Sequence, residues 1–438
     1  MYIKSALLAF CLLIVIACQH ESPQAGPRLL IENAYIFTME PDQPRPFMGY
    51  LLVDQAGAIS GLAAGKAPPG LVAQRRIDAR GQWVMPGFVS AHSHLWQSGF
   101  YGIAANENLE GWLARLYGVE APKLDAAQLY QLTRRGASQS LRNGITTMFN
   151  FTYTGADRSG EVDRQQLRGA LDAGGRVIHG FNVRTISESW TPAMARERTA
   201  AFLMWADAQS ESGRYLGTML AGGAGFVDAA VGQAQVEGDL MHEFSLGNQQ
   251  HYLESVADSA GERARYPVLE QAGIIGPRLI FGHFIHSTPE LTAAAAKAGV
   301  AMVWNPMSNG RLGSGMADVL AYRAAGMKVG MGVDGEASAD RADPFENMRM
   351  GLYQVRAVHQ RAAAMQAYEV MRMHTLGSAE VLGVEDKLGS LKLGKRADML
   401  LVDPGSFTPW QEPYAALVFA GGVNDIREVF VDGLSLAR

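Results

Sequence analysis

The sequence predicts an α/β fold, a (β/α)8 TIM barrel with a small β-sandwich domain formed from both termini. Two observations predict it: short apolar runs alternate with helical patterns through the middle of the 438-residue chain, and strand-like segments occur at both of its ends. A doubly wound parallel sheet is the alternative. No Gly-rich dinucleotide loop follows the first strand of the middle region, which counts against that alternative.

The predicted barrel occupies residues 84–384, and its eight strands share a short apolar core bounded by turns. They are VMPGFVSAH (84–92), GITTMFNF (144–151), RVIHGFNV (176–183), LGTMLAGG (216–223), NQQHYLES (248–255), LIFGHFIH (279–286), VAMVWNP (300–306) and KVGMGVDG (328–335). Helical patterns fit between most of them. Residues 125–144 end at a glycine, and residues 288–300 begin with Thr288 as N-cap before Pro289.

The strand-like segments at the two ends are expected to pair with each other. Residues 29–40 and 50–62 read as short strands, 397–403 as a buried strand, and 426–438 as a hairpin with Asp432-Gly433 at its turn. Strands at opposite ends of one chain satisfy their edges by pairing. We therefore predict a composite β-sandwich from residues 29–83 plus 385–438.

The first residues have the pattern of an export signal. Lys4 precedes an unbroken apolar run over residues 6–16, which is shorter than the ~20 residues that span a bilayer. The run ends in Val-Ile-Ala-Cys18, which resembles the lipobox of bacterial lipoproteins. We predict a lipoprotein signal peptide at 1–17, lipidation at Cys18 and a polar tether at 18–28; a plain secretory signal is the alternative.

The composition limits the kinds of binding partner that the protein is expected to have. The two cysteines, Cys11 and Cys18, both lie in the leader, so the mature domain has no thiol to oxidise after export. The net charge is −5 and no basic block follows the first residues, so no nucleic-acid partner is expected. Membrane contact is expected through the lipid anchor alone. Gln19 after the cysteine resembles lipoproteins on the periplasmic side of the outer membrane, and a homo-oligomer is left open.

His92-Ser93-His94 is the sharpest chemical signal. Residues i and i+2 of a strand project to one face, and barrels place their sites at the carboxyl ends of the strands. Two imidazoles at that place are suited to hold one metal ion.

The stretch PGFVSAHSH, which contains this pair, resembles the opening metal motif of the amidohydrolase superfamily. Further stretches resemble later motifs of the same family in the right order: HYLES (251–255), GHFIH (282–286), NPMSNGRLGSG (305–315), the segment 326–350 and the C-terminal return 374–403. The resemblance covers nearly everything from residue 29 onward. It is closest to the branch of cytosine, guanine, triazine and S-adenosylhomocysteine deaminases.

The resemblance implies a metal site and a set of catalytic residues. The metal ligands would be His92, His94, His251 and Asp334, holding one divalent ion, with Zn²⁺ expected and Fe²⁺ as the alternative. Glu254 would protonate the ring nitrogen, while His283 and Asp334 would flank the attacking water.

Two neighbouring histidines compete for these roles. His242 competes with His251, whose spacing to Glu254 favours it, and His286 competes with His283, which the family pattern favours. Two-metal members of the family that the chain resembles use a carboxylated Lys of the fourth strand; the fourth predicted strand here has no Lys, so the resemblance implies one ion. The mature chain has no Cys-x-x-Cys for a cysteine-ligated zinc.

The resemblance also implies residues that contact the substrate. They are Gln97, Trp112, Trp304, Asn305 and Asn309. Many relatives have a His where this chain has Trp304, which offers one N–H and a stacking face.

The function that the resemblance implies is a mononuclear metal-dependent aminohydrolase, a deaminase that hydrolyses a C–N bond of a small heterocyclic amine with metal-activated water. Hydrolysis of a cyclic or peptide-like amide is the alternative. A third hypothesis is a non-catalytic binding lipoprotein. The presence of all of the expected metal ligands counts against it.

Overall fold

The computed structural model describes residues 26–155, 157, 159–183 and 191–436. The predicted signal peptide, Cys18 and most of the tether lie outside these residues. No helix in the described ranges has the length and apolar character needed to cross a bilayer.

The strands and helices are numbered along the chain. The strands are β1 (Leu29–Ile36), β2 (Phe47–Val53), β3 (Ile59–Ala64), β4 (Arg75–Asp78), β5 (Trp83–Pro86), β6 (Phe88–His94), β7 (Ile145–Phe151), β8 (Arg176–Asn182), β9 (Tyr215–Gly222), β10 (Gly247–Tyr252), β11 (Leu279–His283), β12 (Ala301–Trp304), β13 (Val329–Met331), β14 (Asp334–Gly335), β15 (Met399–Val402), β16 (Ile426–Val431) and β17 (Leu434–Leu436). The helices are α1 (Leu109–Arg115), α2 (Ala126–Arg142), α3 (Glu161–Asp172), α4 (Pro192–Asp207), α5 (Gln233–Glu243), α6 (Ser259–Gln271), α7 (Pro289–Lys297), α8 (Pro306–Arg311), α9 (Val319–Ala324), α10 (Pro344–Val358), α11 (Ala367–Arg372), α12 (Ser378–Leu382) and α13 (Pro413–Ala420).

The predicted barrel is confirmed. Strands β6 to β13 lie side by side in chain order, and β14 pairs with β6 to close the ring, with Asp334 opposite Ser93. All of the pairings within this sheet are parallel. The eighth strand predicted at 328–335 is divided into β13 and β14. Its second part is the one that reaches β6, so barrel closure itself carries Asp334 next to the His-Ser-His pair.

The terminal segments form a separate eight-stranded sheet, in the order β17-β16-β15-β5-β1-β2-β3, with β4 beside β1. The predicted pairing of the two ends is confirmed, because β5 lies between β1 and β15. The hairpin turn is also confirmed: Asp432 and Gly433 have φ values of 56° and 69°, as a two-residue turn of this type requires.

The predicted strand 84–92 is wrong as a single element. β5 belongs to the terminal sheet, where it is antiparallel to β15, and β6 is the first barrel strand. Gly87 separates them, and a Cβ at this position would lie 2.2 Å from Oγ1 of Thr146. The chain passes from one sheet to the other at a position where only glycine fits.

A buried ion pair joins the barrel to the terminal sheet. Arg176, at the start of β8, is 1% exposed and donates to both carboxylate oxygens of Asp398, at 2.7 and 2.9 Å. Its guanidinium also contacts Asp432 in the β16–β17 turn. Because all of these groups are shielded from water, each charge depends on its partners for stabilisation.

We predict that Asp398→Ala lowers the free energy of unfolding by about 3 kcal/mol, because it leaves the buried guanidinium of Arg176 with one carboxylate instead of two. Urea denaturation measures the change. The control is Glu428→Ala, which breaks a solvent-exposed pair with Arg75 and should cost less than about 1 kcal/mol. Equal effects of the two substitutions would contradict the assigned importance of the buried pair.

Candidate metal centre and active site

The site begins with two imidazoles at the carboxyl end of β6. His92 and His94 are both buried, and each directs Nδ1 to an oxygen that can only accept. His92 Nδ1 donates to Oε1 of Gln249 at 2.5 Å, and His94 Nδ1 donates to the backbone oxygen of Phe151 at 3.0 Å. These bonds place the ring proton on Nδ1. The lone pair of each Nε2 is therefore free to bind a cation, an arrangement common among metal-binding histidines.

Two further strands bring a nitrogen and a carboxylate to the same point. Nε2 of His251, on β10, lies 3.1 Å from Nε2 of His94. Oδ1 of Asp334, on β14, lies 3.3 Å from Nε2 of His94 and 3.5 Å from Nε2 of His92. Ligands about 2.1 Å from a tetrahedral ion are separated by about 3.4 Å. The observed separations match that geometry.

The surroundings fit a divalent ion. Nε2 of His92 is buried and has no hydrogen-bond partner among the described residues, and two imidazole nitrogens face each other across the cluster. Burial lowers the pKa of His94 to about 4, with a smaller contribution from the charge of His92, so this ring is neutral at neutral pH. Neutral imidazoles carry the lone pairs that a metal requires.

Asp334 supplies the negative charge. Burial alone would raise its pKa, but the contact with His92 and the neighbouring imidazoles outweigh burial and hold the pKa well below its ordinary value. The group is therefore a carboxylate. The four residues that the sequence predicts as ligands thus lie together, with Nε2 of His94 within 3.3 Å of both His251 and Asp334. His242 lies on the exposed side of α5, apart from them.

His283, at the end of β11, connects the cluster to Glu254. Its Nδ1 accepts a hydrogen bond from the amide of Asn309 at 2.7 Å, so the proton of the neutral ring lies on Nε2, which is 3.9 Å from Oδ2 of Asp334. The amide of Asn305 is also directed to this ring, at 3.5 Å. The sequence predicts both asparagines as substrate contacts. The structure places both amides against His283, while Nε2 of His286 is bonded to the backbone oxygen of Ser314 at 2.8 Å.

Glu254 is a buried acid beside this histidine. Oε1 of Glu254 lies 3.4 Å from Nδ1 of His283. Burial raises the pKa of Glu254 well above its ordinary value, and the negative charge of Asp334 raises it further. The site therefore holds two carboxyl groups of opposite protonation: Asp334 is ionised, and Glu254 keeps a proton that it can donate.

The strand ends that carry these residues have strained backbone. Leu253, His283 and Asp334 have φ values of 57°, 69° and 58°, in the left-handed region. Each such residue costs about 1–2 kcal/mol. Strain that is retained at several strand ends around one point indicates that the surrounding fold holds these residues for a purpose other than stability.

The segment after β6 packs against the end of the eighth barrel strand, because Oε1 of Gln97 would lie 1.7 Å from a Cβ on Gly335. Gln97 is buried and donates from Nε2 to the hydroxyl of Tyr117 at 3.2 Å. Trp112, on α1, donates from Nε1 to the backbone oxygen of Ala337 at 2.8 Å, which holds α1 against the loop after β14. The predicted substrate contacts Gln97 and Trp112 therefore both lie close to the strand that carries Asp334.

An aromatic cluster that sequence reasoning missed lies in the same region. The rings of Trp96, Tyr117 and Tyr153 are mutually 5.1–5.5 Å apart, and Trp112 adjoins Tyr117 at 5.8 Å. These residues come from three separate segments with no common spacing. No periodicity or motif in the sequence therefore predicts that these rings pack together.

The prediction of Trp304 as a substrate contact is wrong. Its ring lies between β12 and the surrounding helices, where a Cβ on Gly351 of α10 would be 2.5 Å from Cη2. Its neighbour Val303 belongs instead to the cluster inside the barrel. Successive residues of a strand face opposite sides, so this tryptophan packs outward and glycine at 351 makes room for it.

The chain matches a known protein family over most of its length. Residues 83–435 match the model described as the amidohydrolase family. A 5-methylthioadenosine/S-adenosylhomocysteine deaminase of Desulforudis audaxviator is 30% identical, over 94% of this chain and 94% of its own length. The protein of the same name from Bacillus cereus is 28% identical over 92% of each chain.

Two solved structures share the fold. An adenosine deaminase from Xanthomonas campestris with bound zinc has a TM-score of 0.83 at 24% identity, covering 94% of this chain and 93% of its own. Guanine deaminase from C. acetobutylicum with bound guanine has a TM-score of 0.81 at 20% identity, covering 93% and 99%. At these identities the likeness is one of architecture.

We predict about one divalent ion per purified chain and its loss in His92→Ala, because three remaining ligands bind far more weakly than four. Elemental analysis by mass spectrometry measures the content. His359→Ala, at an exposed position after α10, is the control and should retain the ion. Full metal content in His92→Ala would contradict the ligand assignment.

Proposed function

The chain belongs to the amidohydrolase family and is a hydrolase of carbon–nitrogen bonds other than peptide bonds, and we propose that it is a mononuclear aminohydrolase. It would replace an amino group on a heterocyclic ring with oxygen from water. One observation carries the proposal: the groups His92, His94, Asp334 and His92, His251, His283 share His92, and Glu254, whose pKa burial raises, lies 3.4 Å from the ring of His283. Deamination needs a group that takes a proton from water and a second group that gives one to the ring.

We assign Zn²⁺ to the cluster that His92, His94, His251 and Asp334 form. Imidazole and carboxylate donors suit zinc, and one of the structures with the same fold contains it. When bound, such an ion supplies Lewis acidity that lowers the pKa of a water from 15.7 to about 7. Fe²⁺ is the alternative for this donor set.

The protein's own groups then divide the proton transfers. Asp334 accepts the proton that the attacking water gives up, and Nε2 of His283 lies 3.9 Å from Oδ2 of Asp334, so that the two groups would flank that water. Glu254 donates its proton to the ring nitrogen beside the attacked carbon, so that no negative charge accumulates on the ring. Asp334 then passes its proton to the amino group, which leaves as ammonia as the C–N bond breaks, and the hydroxyl proton lost when the C=O forms returns to Glu254. General acid–base assistance of this kind contributes about 10²–10⁴-fold.

The substrate we propose is a small planar heterocyclic amine. The aromatic cluster of Trp96, Trp112, Tyr117 and Tyr153 adjoins the loop after β14, and we expect its partly buried members, Tyr117 and Tyr153, to pack against the ring. The relatives named as 5-methylthioadenosine/S-adenosylhomocysteine deaminases make adenine-containing thioether nucleosides the first compounds to test.

We predict that Glu254→Gln lowers kcat by about 10²–10⁴-fold while the metal content stays unchanged, because glutamine has the shape of the acid without its proton. Ammonia release measures the rate, and product mass distinguishes deamination, which replaces NH₂ by OH, from hydrolysis of a cyclic amide, which adds a whole water. Glu270→Gln, at an exposed position of α6, is the control. Full activity in Glu254→Gln would contradict the proposal.

We also propose that residues 1–17 are removed as a signal peptide and that lipidated Cys18 holds the enzyme at the periplasmic side of the outer membrane. The apolar run, the small residue before the cysteine and the polar tether support this. Several acyl chains on one cysteine give firm anchoring, at about 0.8 kcal/mol for each buried CH₂.

We predict that Cys18→Ser moves the protein from the membrane fraction to the soluble fraction of the producing cells, because the residue that carries the acyl chains is lost. Fractionation and immunoblotting measure the distribution, and Cys11→Ser serves as the control that stays with membranes. Membrane retention of Cys18→Ser would argue against lipidation at this residue.

A further inference from the structure

Glu254 is connected to the barrel wall through one strained residue. β10 ends at Tyr252, and Leu253, which follows it, has a φ of 57°. Residues other than glycine seldom adopt this conformation, which in a leucine persists only if its surroundings hold it. The conformation of Leu253 sets the direction in which Glu254 leaves the strand. An ordinary β conformation here would turn its carboxyl group away from His283.

Both peptide groups that flank Leu253 are held. Its N–H donates to Oε2 of Glu262 at 2.5 Å. Its C=O accepts the N–H groups of Ile285 at 2.9 Å and His286 at 3.1 Å, which follow the end of β11. The second set of bonds comes from backbone and is available to any sequence. The first depends on one side chain.

Glu262 is a buried acid in the first turn of α6, 5% exposed. The hydroxyl of Tyr252 donates to its backbone oxygen at 2.8 Å, so the turn of the helix that carries Glu262 is attached to the end of β10. Neither of these contacts involves one of the proposed metal ligands. The chemistry proposed above assigns no role to Glu262. Its buried carboxyl group nevertheless accepts the N–H of Leu253, the residue before the proton donor.

The other neighbour of Glu254 is held in a similar way. The hydroxyl of Ser255 donates to the carboxylate of Glu110 on α1 and accepts the N–H of Asp258 at 3.3 Å. The proton donor thus lies between two residues that are bonded to carboxyl groups from different helices.

We propose that Glu262 is a positioning residue for the reaction: its hydrogen bond to the N–H of Leu253 maintains the left-handed turn that aims Glu254 at the substrate. The inference rests on the proposed function, in which Glu254 is the proton donor. Without this acceptor the N–H would be buried and unpaired, and Leu253 would relax toward an ordinary conformation in which the N–H finds another partner.

Glu262→Met tests the proposal, because methionine fills the same volume without accepting the bond. We expect kcat to fall at least about tenfold, with KM and metal content nearly unchanged. Glu262→Gln keeps an oxygen acceptor and should remain within about threefold of the parent. Glu262→Ala is a second variant that must behave like Glu262→Met, and Glu270→Met is the matched control on the exposed side of the same helix.

A double-mutant cycle separates positioning from general stability. Adding Glu262→Met to Glu254→Gln should cause no further loss in kcat, because the group to be aimed is already inactive. A purely structural role would give additive losses and would overturn the proposal. An equal loss in Glu262→Gln and Glu262→Met would also overturn it, because the hydrogen-bond acceptor would then not be what matters.

A readout without substrate keeps this test independent of the deaminase assignment. A crystal structure of Glu262→Met should show Leu253 outside the left-handed region and Oε1 of Glu254 farther than 3.4 Å from Nδ1 of His283. An unchanged turn would refute the positioning role whatever the enzyme's substrate proves to be. A changed turn in a protein without deaminase activity would leave the positioning of Glu254 established and refute the proposed function.

Discussion

The site exists because closure of the barrel brings three strands to one point. β6 supplies two imidazoles, β10 a third, and β14 a carboxylate. Nε2 of His94 lies 3.1 Å from Nε2 of His251, and Oδ1 of Asp334 lies 3.3 and 3.5 Å from Nε2 of His94 and of His92. β14 is a two-residue strand, yet its pairing with β6 completes the ring. Two buried imidazoles, a partly buried third and a buried carboxylate are costly to hold together without a cation, because Nε2 of His92 has no hydrogen-bond partner among the described residues and the Nε2 atoms of His94 and His251 face each other. The positions of the ligand atoms after barrel closure and the chemistry of these groups therefore both indicate a metal cation.

Burial separates the two carboxyl groups of the site into an acid and a base. The contact with His92 and the neighbouring imidazoles hold the pKa of Asp334 low against the effect of burial, while burial and the charge of Asp334 raise the pKa of Glu254. The two carboxyl groups are neighbours in one site, yet their pKa values are shifted in opposite directions. The same low-polarity environment keeps the pKa of His283 at about 3, so that this ring is neutral and directs an N–H rather than a charge at Asp334. A single desolvated pocket thereby produces all of the protonation states that deamination needs.

The sequence predicted those features of the fold and the site that depend on residues close together in the chain. The i and i+2 histidines, the strand–helix alternation and the Asp-Gly hairpin each follow from a few neighbouring residues. It failed where the outcome depends on distant residues. Gly87 divides one apolar run between two sheets because Thr146 crowds it, and Trp304 faces outward because Gly351 leaves room for its ring. Likewise, the aromatic cluster joins segments with no common period, so the fold had to be known before it was visible.

The strained strand ends suggest how such a site is maintained. Three left-handed residues at about 1–2 kcal/mol each amount to a substantial fraction of the 5–15 kcal/mol by which a typical domain is stable. Backbone bonds alone hold part of this strain, as at the C=O of Leu253. At the N–H of Leu253 the bond comes instead from the side chain of Glu262. Residues that hold the strand ends in place therefore lie outside the metal cluster itself. No sequence motif indicates them, and they are identified by their hydrogen bonds to the strand ends.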